Sequence, residues 1–331
     1  MDVSMEDLAR QIVALREELD SLRRVAMFGK QIDLIDFGQL RGYVYTDDLC
    51  YRQIDSRYKG KRADRPLAPL PVRSIQESYD AETTPLLATL FCHFWLHSLD
   101  FTFFDIGCQY GFSSVAIAQL IRSFGRGNRV HAFDPGVAAE LTPYNLALNG
   151  LGDQATFERM AVSQDTRPTV VFSELGHSEN NRIVNRARSQ ELLSYPVMAT
   201  SIDDYVESRQ LSGHLILKVD TQGGEVEVFL GMSRVLAQRH VVAITEFTPD
   251  AIRSRVDPGR WLSGLAEHFH ILDAGNVDMV IGSTHRMPVL ETGAAQAFLE
   301  RVEATPGHHT DLALIPRTLP KVASLLERVS G

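Results

Sequence analysis

The sequence predicts an α/β protein with a mostly parallel seven-stranded sheet, helices on both faces of the sheet, and an N-terminal coiled-coil helix. Three observations lead to this prediction. Short apolar, β-prone runs alternate with helical stretches between residues 100 and 317. Such alternation is typical of parallel sheets that are covered on both faces. Four of these runs end in acidic or glycine-rich segments, and the first 26 residues repeat apolar side chains every three and four positions.

The composition is that of an ordinary folded protein. Of the 331 residues, 44% are hydrophobic and 23% are charged, which excludes wholesale disorder. The formal net charge of −9 argues against a nucleic-acid partner. No apolar run is long enough to span a bilayer, and no signal-peptide core begins the chain, so we expect a cytoplasmic protein. Three cysteines are too few for a disulfide framework or a zinc site.

Residues 1–26 predict a separate oligomerisation helix. Its apolar residues follow a heptad pattern: Met5, Leu8, Ile12, Leu15, Leu19, Leu22 and Ala26. Isoleucine at an a position and leucine at d positions favour a parallel two-stranded coiled coil, so we expect a homo-oligomer, a parallel dimer through residues 5–26. The alternative is a single amphipathic helix that packs on its own domain.

Residues 27–84 form an N-terminal extension that we place on the substrate side. Arginine and lysine crowd between residues 52 and 65, and such a cluster could hold an anionic acceptor, although a solvated charged face is the simpler interpretation. A buried helix is predicted at 85–99. His93 and His97 lie one turn apart on it, but their aromatic neighbours favour core histidines over metal ligands.

The elements of the main domain, residues 85–317, follow from the apolar runs. Strands are predicted at residues 101–106, 129–133, 155–161, 214–219, 241–247, 269–274 and 311–316. Helices are predicted near residues 112–124, 138–149, 203–208, 224–237 and 258–268. The long polar interval 164–201 is interpreted as a functional or disordered loop. Further predictions are a strand at 278–283, a helix at 294–303 and a terminal helix at 319–329 within a C-terminal segment, 318–331.

The end of the first strand predicts a nucleoside-cofactor site. Asp105 is followed by a loop with Gly107 and Gly111, and a helix opens at Phe112. Glycine lets the backbone approach a ligand closely, and a helix N-terminus offers N–H groups. Asp134 ends the second strand, where an acid can bind ribose hydroxyls. The spacing fits the Asp-x-Gly-x-x-x-Gly loop of S-adenosylmethionine enzymes better than the Gly-x-Gly-x-x-Gly dinucleotide loop.

Polar residues also end the fourth and fifth strands. Lys218, Asp220 and Gln222 alternate at the end of the fourth strand, and Glu246 lies at the end of the fifth. Glu225 falls in the first turn of the next helix, where a carboxylate is favourable without any catalytic role. Lys218 could simply neutralise Asp220 or Glu246. We expect Asp220 and Glu246 to be functional, because both finish strands at the cofactor end of the sheet.

Six sequence blocks, in order, resemble the FkbM family of S-adenosylmethionine-dependent methyltransferases. They begin at Phe103, Ala132, Asn145, Ala161, Ser201 and Leu217. Two positions depart from the family pattern, since Asp134 and Gln222 both stand where glutamate is usual. The resemblance implies a class I methyltransferase (Rossmann-like) fold, S-adenosylmethionine as the cofactor, and commonly O-methylation of a sugar or polyketide hydroxyl.

The predicted site follows from these blocks. The predicted cofactor-binding residues are Asp105, Gly107, Cys108, Gln109, Gly111, Ser113, Asp134, Pro135, Ala161 and Val162. Asp220 is predicted to be the base or the acceptor-positioning group, assisted by Lys218 and Glu246, since an alcohol is a poor nucleophile until its proton is taken.

Several alternatives remain open at this stage. We predict no resident metal, but Asp220 and Glu246 could instead hold Mg²⁺ that orients a diol. A nucleotide-dependent oxidoreductase is disfavoured by the missing third glycine, and a coiled-coil scaffold with a vestigial cofactor fold is disfavoured by the intact loop. The expected partner is a small-molecule or glycan acceptor, and we predict neither nucleic-acid binding nor a membrane span.

Overall fold

The computed structural model describes residues 83–124, 127–136, 138–174, 182–184, 193–274, 289–290, 293–304 and 309–330. The predicted coiled coil (1–26), the basic cluster (52–65) and the strand predicted at 278–283 lie outside the described residues.

Strands and helices alternate along the described chain. The first half contains α1 (Thr83–Leu96), β1 (Phe101–Ile106), α2 (Phe112–Phe124), β2 (Arg129–Phe133), a 3-10 helix (Ala138–Leu141), α3 (Thr142–Leu148), β3 (Ala155–Glu158), β4 (Ala161–Val162), β5 (Arg167–Glu174), β6 (Arg182–Val184) and β7 (Leu193–Thr200). The second half contains α4 (Ile202–Ser208), β8 (His214–Val219), α5 (Glu225–Leu230), α6 (Ser233–Gln238), β9 (Val241–Phe247), α7 (Pro249–Ile252), α8 (Pro258–His268), β10 (Phe269–Asp273), α9 (Ala295–Ala304), β11 (Thr310–Pro316) and α10 (Val322–Ser330).

The main sheet has seven strands in the order β10-β11-β9-β8-β1-β2-β3. The five strands from β9 to β3 are parallel, and β11 runs antiparallel to both of its neighbours. Each of the seven predicted strands supplies one of these strands, so the predicted mostly parallel sheet is confirmed.

The core lies on both faces of this sheet because successive side chains of a strand point to opposite faces. Phe103 of β1 packs into a cluster with α1 and α2, and its neighbour Phe104 packs into a second cluster with α4, α5 and α8. On α1, the predicted core position of His93 agrees with the structure, where its Nε2 atom lies 3.0 Å from the Pro320 carbonyl oxygen. Among the described residues, no helix has the length and apolarity needed to cross a membrane.

Three strands of a second, four-stranded sheet lie in the interval 164–201 that we interpreted as a loop, and this interpretation is wrong for the described residues. The order of this sheet is β4-β7-β5-β6. The predicted strand 155–161 is likewise two strands, since β4 pairs with β7 instead of continuing β3. Proline lies inside β5 (Pro168) and β7 (Pro196). Because proline cannot donate to a strand ladder, it weakens the sequence signal for a strand.

Two helices predicted as continuous are interrupted. The predicted helix 138–149 is a 3-10 turn followed by α3, which begins with a proline in its first turn, the position where proline favours a new helix. The predicted helix 224–237 breaks into α5 and α6 at Gly231. A Cβ atom at Gly231 would lie 2.2 Å from the Ser163 carbonyl oxygen, so this turn packs directly on the segment after β4.

The strand registers bring four chain segments to one edge of the main sheet. Ile106 of β1 pairs with Phe133 of β2 and with Val219 of β8, and Val219 pairs with Thr245 of β9. The residues that follow these four positions therefore lie at the same level, at the carboxyl ends of parallel strands. This edge is where open α/β sheets bind ligands.

Candidate functional site

The glycine loop, residues 107–111, turns at the end of β1 against the end of β8. Gly107 has a φ of +81°, and its N–H donates to the Phe133 carbonyl oxygen at 2.8 Å. A Cβ atom at this position would lie 1.8 Å from the carbonyl oxygen of Asp220. Only glycine allows this approach, so the loop after β1 and the loop after β8 are in direct backbone contact.

The predicted residue Asp105 lies beneath the glycine loop. Its side chain is buried, and one carboxylate oxygen accepts a 2.6 Å hydrogen bond from the Ser114 hydroxyl of α2. Ser113 is also buried on α2. The contact between Asp105 and Ser114 ties the start of α2 to β1, so Asp105 supports the loop from within the protein.

Asp134, which follows β2, holds the glycine loop from its other side. One carboxylate oxygen accepts the N–H of Gln109 at 2.9 Å, and the other accepts the N–H of Gly136 at 2.7 Å. Gln109 takes a φ of +48°, a conformation that is unfavourable for any residue with a Cβ atom. The hydrogen bond to Asp134 therefore stabilises a strained residue of the loop.

Two buried polar residues of α3 complete the support of the loop, and sequence reasoning gave them no role. Thr142 donates its hydroxyl to the Gln109 carbonyl oxygen at 2.8 Å. Asn145 donates its amide to the Tyr110 carbonyl oxygen at 2.8 Å. Thr142 also lies 3.7 Å from the sulfur of Cys108, a buried residue of the loop whose thiol pKa is raised chiefly by burial. The signal in the sequence was polar residues on the inner side of a short helix.

The second loop, residues 220–224, carries the predicted catalytic residue Asp220 at the end of β8. One of its carboxylate oxygens lies 3.3 Å from the ammonium nitrogen of Lys218, which is buried. The other accepts a 3.0 Å hydrogen bond from the side-chain amide of Gln222. The same amide nitrogen donates to a carboxylate oxygen of Glu246 at 3.0 Å. The structure thus brings the three predicted catalytic residues together, and it adds Gln222 between two of them.

Glu225 closes the second loop. Its buried carboxylate accepts the N–H of Thr221 at 2.8 Å, the hydroxyl of Thr221 at 2.9 Å, and the N–H of Gly223 at 2.9 Å. Burial raises the pKa of Glu225 to about 7 even though these hydrogen bonds act in the opposite direction. The simple helix-terminus interpretation of Glu225 understates its structural role.

Glu246 lies among other carboxylates. Burial raises its pKa well above the usual range, and the charges of Asp220, Glu225 and Asp311 raise it further. Asp311 is the register partner of Glu246 on the antiparallel strand β11. Glu246 therefore favours its protonated form near neutral pH, which reduces repulsion with Asp220.

The Mg²⁺ alternative requires Asp220 and Glu246 to direct oxygens at a shared cation. In the structure these two carboxylates converge on the hydrogen atoms of the Gln222 amide. Among the described residues, no group of three or more histidine, cysteine, aspartate or glutamate side chains is arranged to hold a metal ion. The two carboxylates are therefore arranged to accept hydrogen bonds from the Gln222 amide, which suits them less well to coordinate a shared cation.

The remaining predicted residues lie where the small sheet meets the main one. Ala161 and Val162 are buried in β4, and Val162 shares an apolar cluster with Phe133 at the end of β2. The carbonyl oxygen of Pro135 accepts a 3.2 Å hydrogen bond from the hydroxyl of Tyr195 on β7. The small sheet therefore contacts the segment that carries Asp134.

These observations fit a nucleoside cofactor. The carboxylate of Asp134 is half-buried directly after β2, where an acid can bind a ribose diol, and the glycine loop leads into the N-terminus of α2, whose first N–H groups have no partner within the helix. A seven-stranded sheet of this order, with a glycine loop after its first strand and an acid after the next, has the class I methyltransferase fold.

Comparison with protein families gives the same result. The methyltransferase FkbM domain matches residues 105–273, about half of the chain. The chain therefore belongs to the FkbM family of methyltransferases, and S-adenosylmethionine is its cofactor.

Similar solved structures are distant. A putative O-methyltransferase from Klebsiella pneumoniae is 11% identical, with 81% of this chain and 90% of that chain covered and a TM-score of 0.32. An O-methyltransferase from Bacillus cereus in complex with SAH is 11% identical, with 81% and 91% covered and a TM-score of 0.31. A putative methyltransferase from Streptococcus mutans in complex with SAH is 10% identical, with 69% and 96% covered and a TM-score of 0.33. No curated protein matches the chain.

Proposed function

We propose that this methyltransferase transfers the methyl group of S-adenosylmethionine to a hydroxyl of a sugar, a glycan or a related natural product. One observation carries the proposal. A carboxylate, Asp220, is partly exposed at the end of β8, and the backbone of the same residue contacts Gly107 of the glycine loop. A group that can take a hydroxyl proton therefore stands directly beside the cofactor loop.

The cofactor, when bound, supplies an electrophilic methyl group. We assign its binding to the glycine loop with Cys108, Gln109 and Gly111, to Asp134 for the ribose hydroxyls, and to the backbone of Ala161 and Val162 beside the adenine. The assignment of Asp134 is supported by its half-buried position and by the hydrogen bonds that it accepts from the N–H groups of Gln109 and Gly136. Asp105 supports the loop through Ser114 of α2, and Pro135 fixes the segment after β2 through Tyr195. Ser113, which is buried at the start of α2, stays assigned to the cofactor site.

Asp220 acts as the general base or as the group that orients the acceptor hydroxyl. Lys218 holds one of its oxygens and Gln222 holds the other, so the carboxylate is fixed before an acceptor arrives. Such fixed geometry is a main source of catalysis when two reactants must be aligned. Glu246, with its raised pKa, adds little negative charge near Asp220 at neutral pH.

The test is a methyl-transfer screen over glycans and nucleotide sugars with S-adenosylmethionine, read by mass spectrometry. Asp220→Asn keeps the shape of the side chain and removes the base. We expect turnover to fall at least 100-fold, as is typical for loss of a general base, while the affinity for S-adenosylhomocysteine, measured by calorimetry, stays within about twofold.

Asp153→Asn is the matched control, because Asp153 is exposed in the turn before β3, and it should behave like the wild type. Full turnover in Asp220→Asn would falsify the base assignment. Methylation of nitrogen or carbon acceptors only would refute the hydroxyl assignment.

A further inference from the structure

Gln222 occupies an unusual place in the second loop. Its single amide nitrogen donates to Asp220 and to Glu246, at 3.0 Å in each case. An amide NH₂ group has two hydrogen atoms, so each carboxylate receives one of them. The side chain thus bridges two acidic groups that come from neighbouring parallel strands, β8 and β9.

The backbone turn does not explain why this residue is a glutamine. Gln222 has a φ of +56°, a conformation that glycine adopts more easily than any residue with a side chain. The turn is maintained by Glu225, which binds the N–H groups of the residues on both sides of Gln222. Glycine would fit this backbone without strain, and the glutamine is therefore better explained by its amide.

We propose that Gln222 is a positioning residue, whose amide links Asp220 to Glu246 and holds the Asp220 carboxylate in the orientation needed to accept the proton of the acceptor. This inference rests on the role proposed above for Asp220. Gln222 is fixed by the loop, Glu246 is fixed by the sheet, and the amide transmits both constraints to Asp220.

The charges around the pair explain why a neutral donor suits this position. Lys218 of β8 supplies the positive charge, while burial and the charges of Asp220, Glu225 of α5 and Asp311 of β11 raise the pKa of Glu246, so that Glu246 is mainly protonated near neutral pH. Glutamate in place of Gln222 would add another negative charge and would remove the donor. Hydrogen bonds to a carboxylate favour its charged form, so loss of the amide should raise the pKa of Glu246 further.

The experiment uses the full-length chain with ¹³C-labelled aspartate and glutamate side chains. Carboxyl resonances are followed by NMR between pH 4 and pH 10, and Asp220→Asn and Glu246→Gln variants provide the assignments. In Gln222→Gly we expect the apparent pKa of Glu246 to rise by about one unit. In Gln222→Glu we expect a larger rise, because a third carboxylate joins the pair.

Gln210→Gly is the matched control, because Gln210 is an exposed glutamine with a φ of +52° after α4. This variant should leave the carboxyl titration unchanged. With the acceptor found by the glycan screen, Gln222→Gly should lower kcat about 10- to 100-fold. The S-adenosylhomocysteine affinity should remain within about twofold in calorimetry.

The outcomes separate this inference from the proposed function. A carboxyl titration that is identical in Gln222→Gly and wild type overturns the positioning role, whatever the enzyme methylates. A shifted titration with an unchanged kcat also overturns it, because the bridge would then not serve catalysis. If Asp220→Asn retains turnover, the base assignment fails, while a shifted titration would still establish the bridge itself.

Discussion

The two loops at the carboxyl edge of the sheet are built on the same plan but held by different means. Each follows a buried parallel strand, and each contains one glutamine in the left-handed region, Gln109 in the first loop and Gln222 in the second. In the glycine loop the strained Gln109 donates its N–H to Asp134, an acid that follows a different strand, β2. In the second loop the backbone N–H groups are bound by Glu225, which belongs to the helix that follows the loop itself.

The two loops therefore differ in which parts of the chain maintain their shape. Because the first loop depends on residues from β2 and α3, its shape can serve a cofactor that spans several strands. The second loop is closed by its own helix, so Asp220, the base in the proposed function, is carried by a loop that is maintained locally. The two loops meet where the backbone at Gly107 contacts the backbone at Asp220.

The largest effect should come from breaking the contact between the loops. In Gly107→Ala, the added Cβ atom would lie 1.8 Å from the Asp220 carbonyl oxygen, at a φ of +81°. Steric overlap with the backbone and an unfavourable φ should together lower the free energy of unfolding by roughly 3 kcal/mol or more. Urea denaturation measures this loss, and calorimetry should also show weaker binding of S-adenosylhomocysteine.

Gly152→Ala is the control for that variant, since a Cβ atom at Gly152 would meet no other atom within 4 Å. Its stability should stay close to that of the wild type. An equally mild effect in Gly107→Ala would show that the loops can separate, and it would contradict the requirement for close backbone contact between Gly107 and Asp220.

A smaller effect should come from the titration of Glu225, the acid that closes the second loop. The folded pKa of Glu225 is about 7, above an ordinary value of 4.5, so the folded state binds more protons than the unfolded state between these values. The stability contribution of this group is complete below pH 4.5 and is lost as the pH rises through about 7. The loss is on the order of 3 kcal/mol. Urea denaturation between pH 4.5 and pH 8 measures it.

Glu225→Gln should remove this pH dependence, because the glutamine does not titrate. The variant should also be less stable at low pH. The NH₂ group of the glutamine would face backbone N–H groups that donate hydrogen bonds to the Glu225 carboxyl group in the wild type. The decisive comparison is the difference between variant and wild type as a function of pH. A constant difference across the range would refute the raised pKa.

The smallest effect should come from the support of the glycine loop by α3. Thr142→Val keeps the shape of the side chain but removes the hydroxyl that donates to Gln109. One hydrogen bond contributes about 0.5–1.5 kcal/mol, so S-adenosylhomocysteine should bind roughly 3- to 10-fold more weakly in calorimetry. Thr156→Val, at an exposed position of β3, should leave the affinity unchanged. If both variants bind S-adenosylhomocysteine equally well, the Thr142 hydroxyl does not contribute to the binding conformation of the glycine loop.

Most of the main sheet could be predicted from the sequence, and the small sheet could not. A strand such as β1 is apolar on both faces because helices cover both sides, so it reads as a continuous hydrophobic run. The strands β5 and β7 contain prolines and pair mainly with each other, and a run that carries proline does not predict a strand. The missed segment was therefore one whose stability comes from its partner strand and not from local pattern.

The part of the site that lies directly after the strands could be predicted from the sequence. Asp134 and Asp220 follow apolar runs, and the registers explain why such positions share one edge of the sheet. The support by Thr142 and the bridge made by Gln222 depend on which atoms meet across elements, and no spacing along the chain encodes that. The cofactor and acceptor assignments for individual residues stay predictions that the proposed variants test.

The contact between Gly107 and Asp220 has a consequence for protein engineering. A library that inserts or deletes residues in either loop would displace the other loop as well. With the roles proposed above, acceptor preference and donor affinity would then change together. Redesign toward new acceptors should therefore leave the lengths of both loops intact. It should vary surfaces farther out, such as the strand that bears Tyr195, where substitutions do not force the two backbones apart.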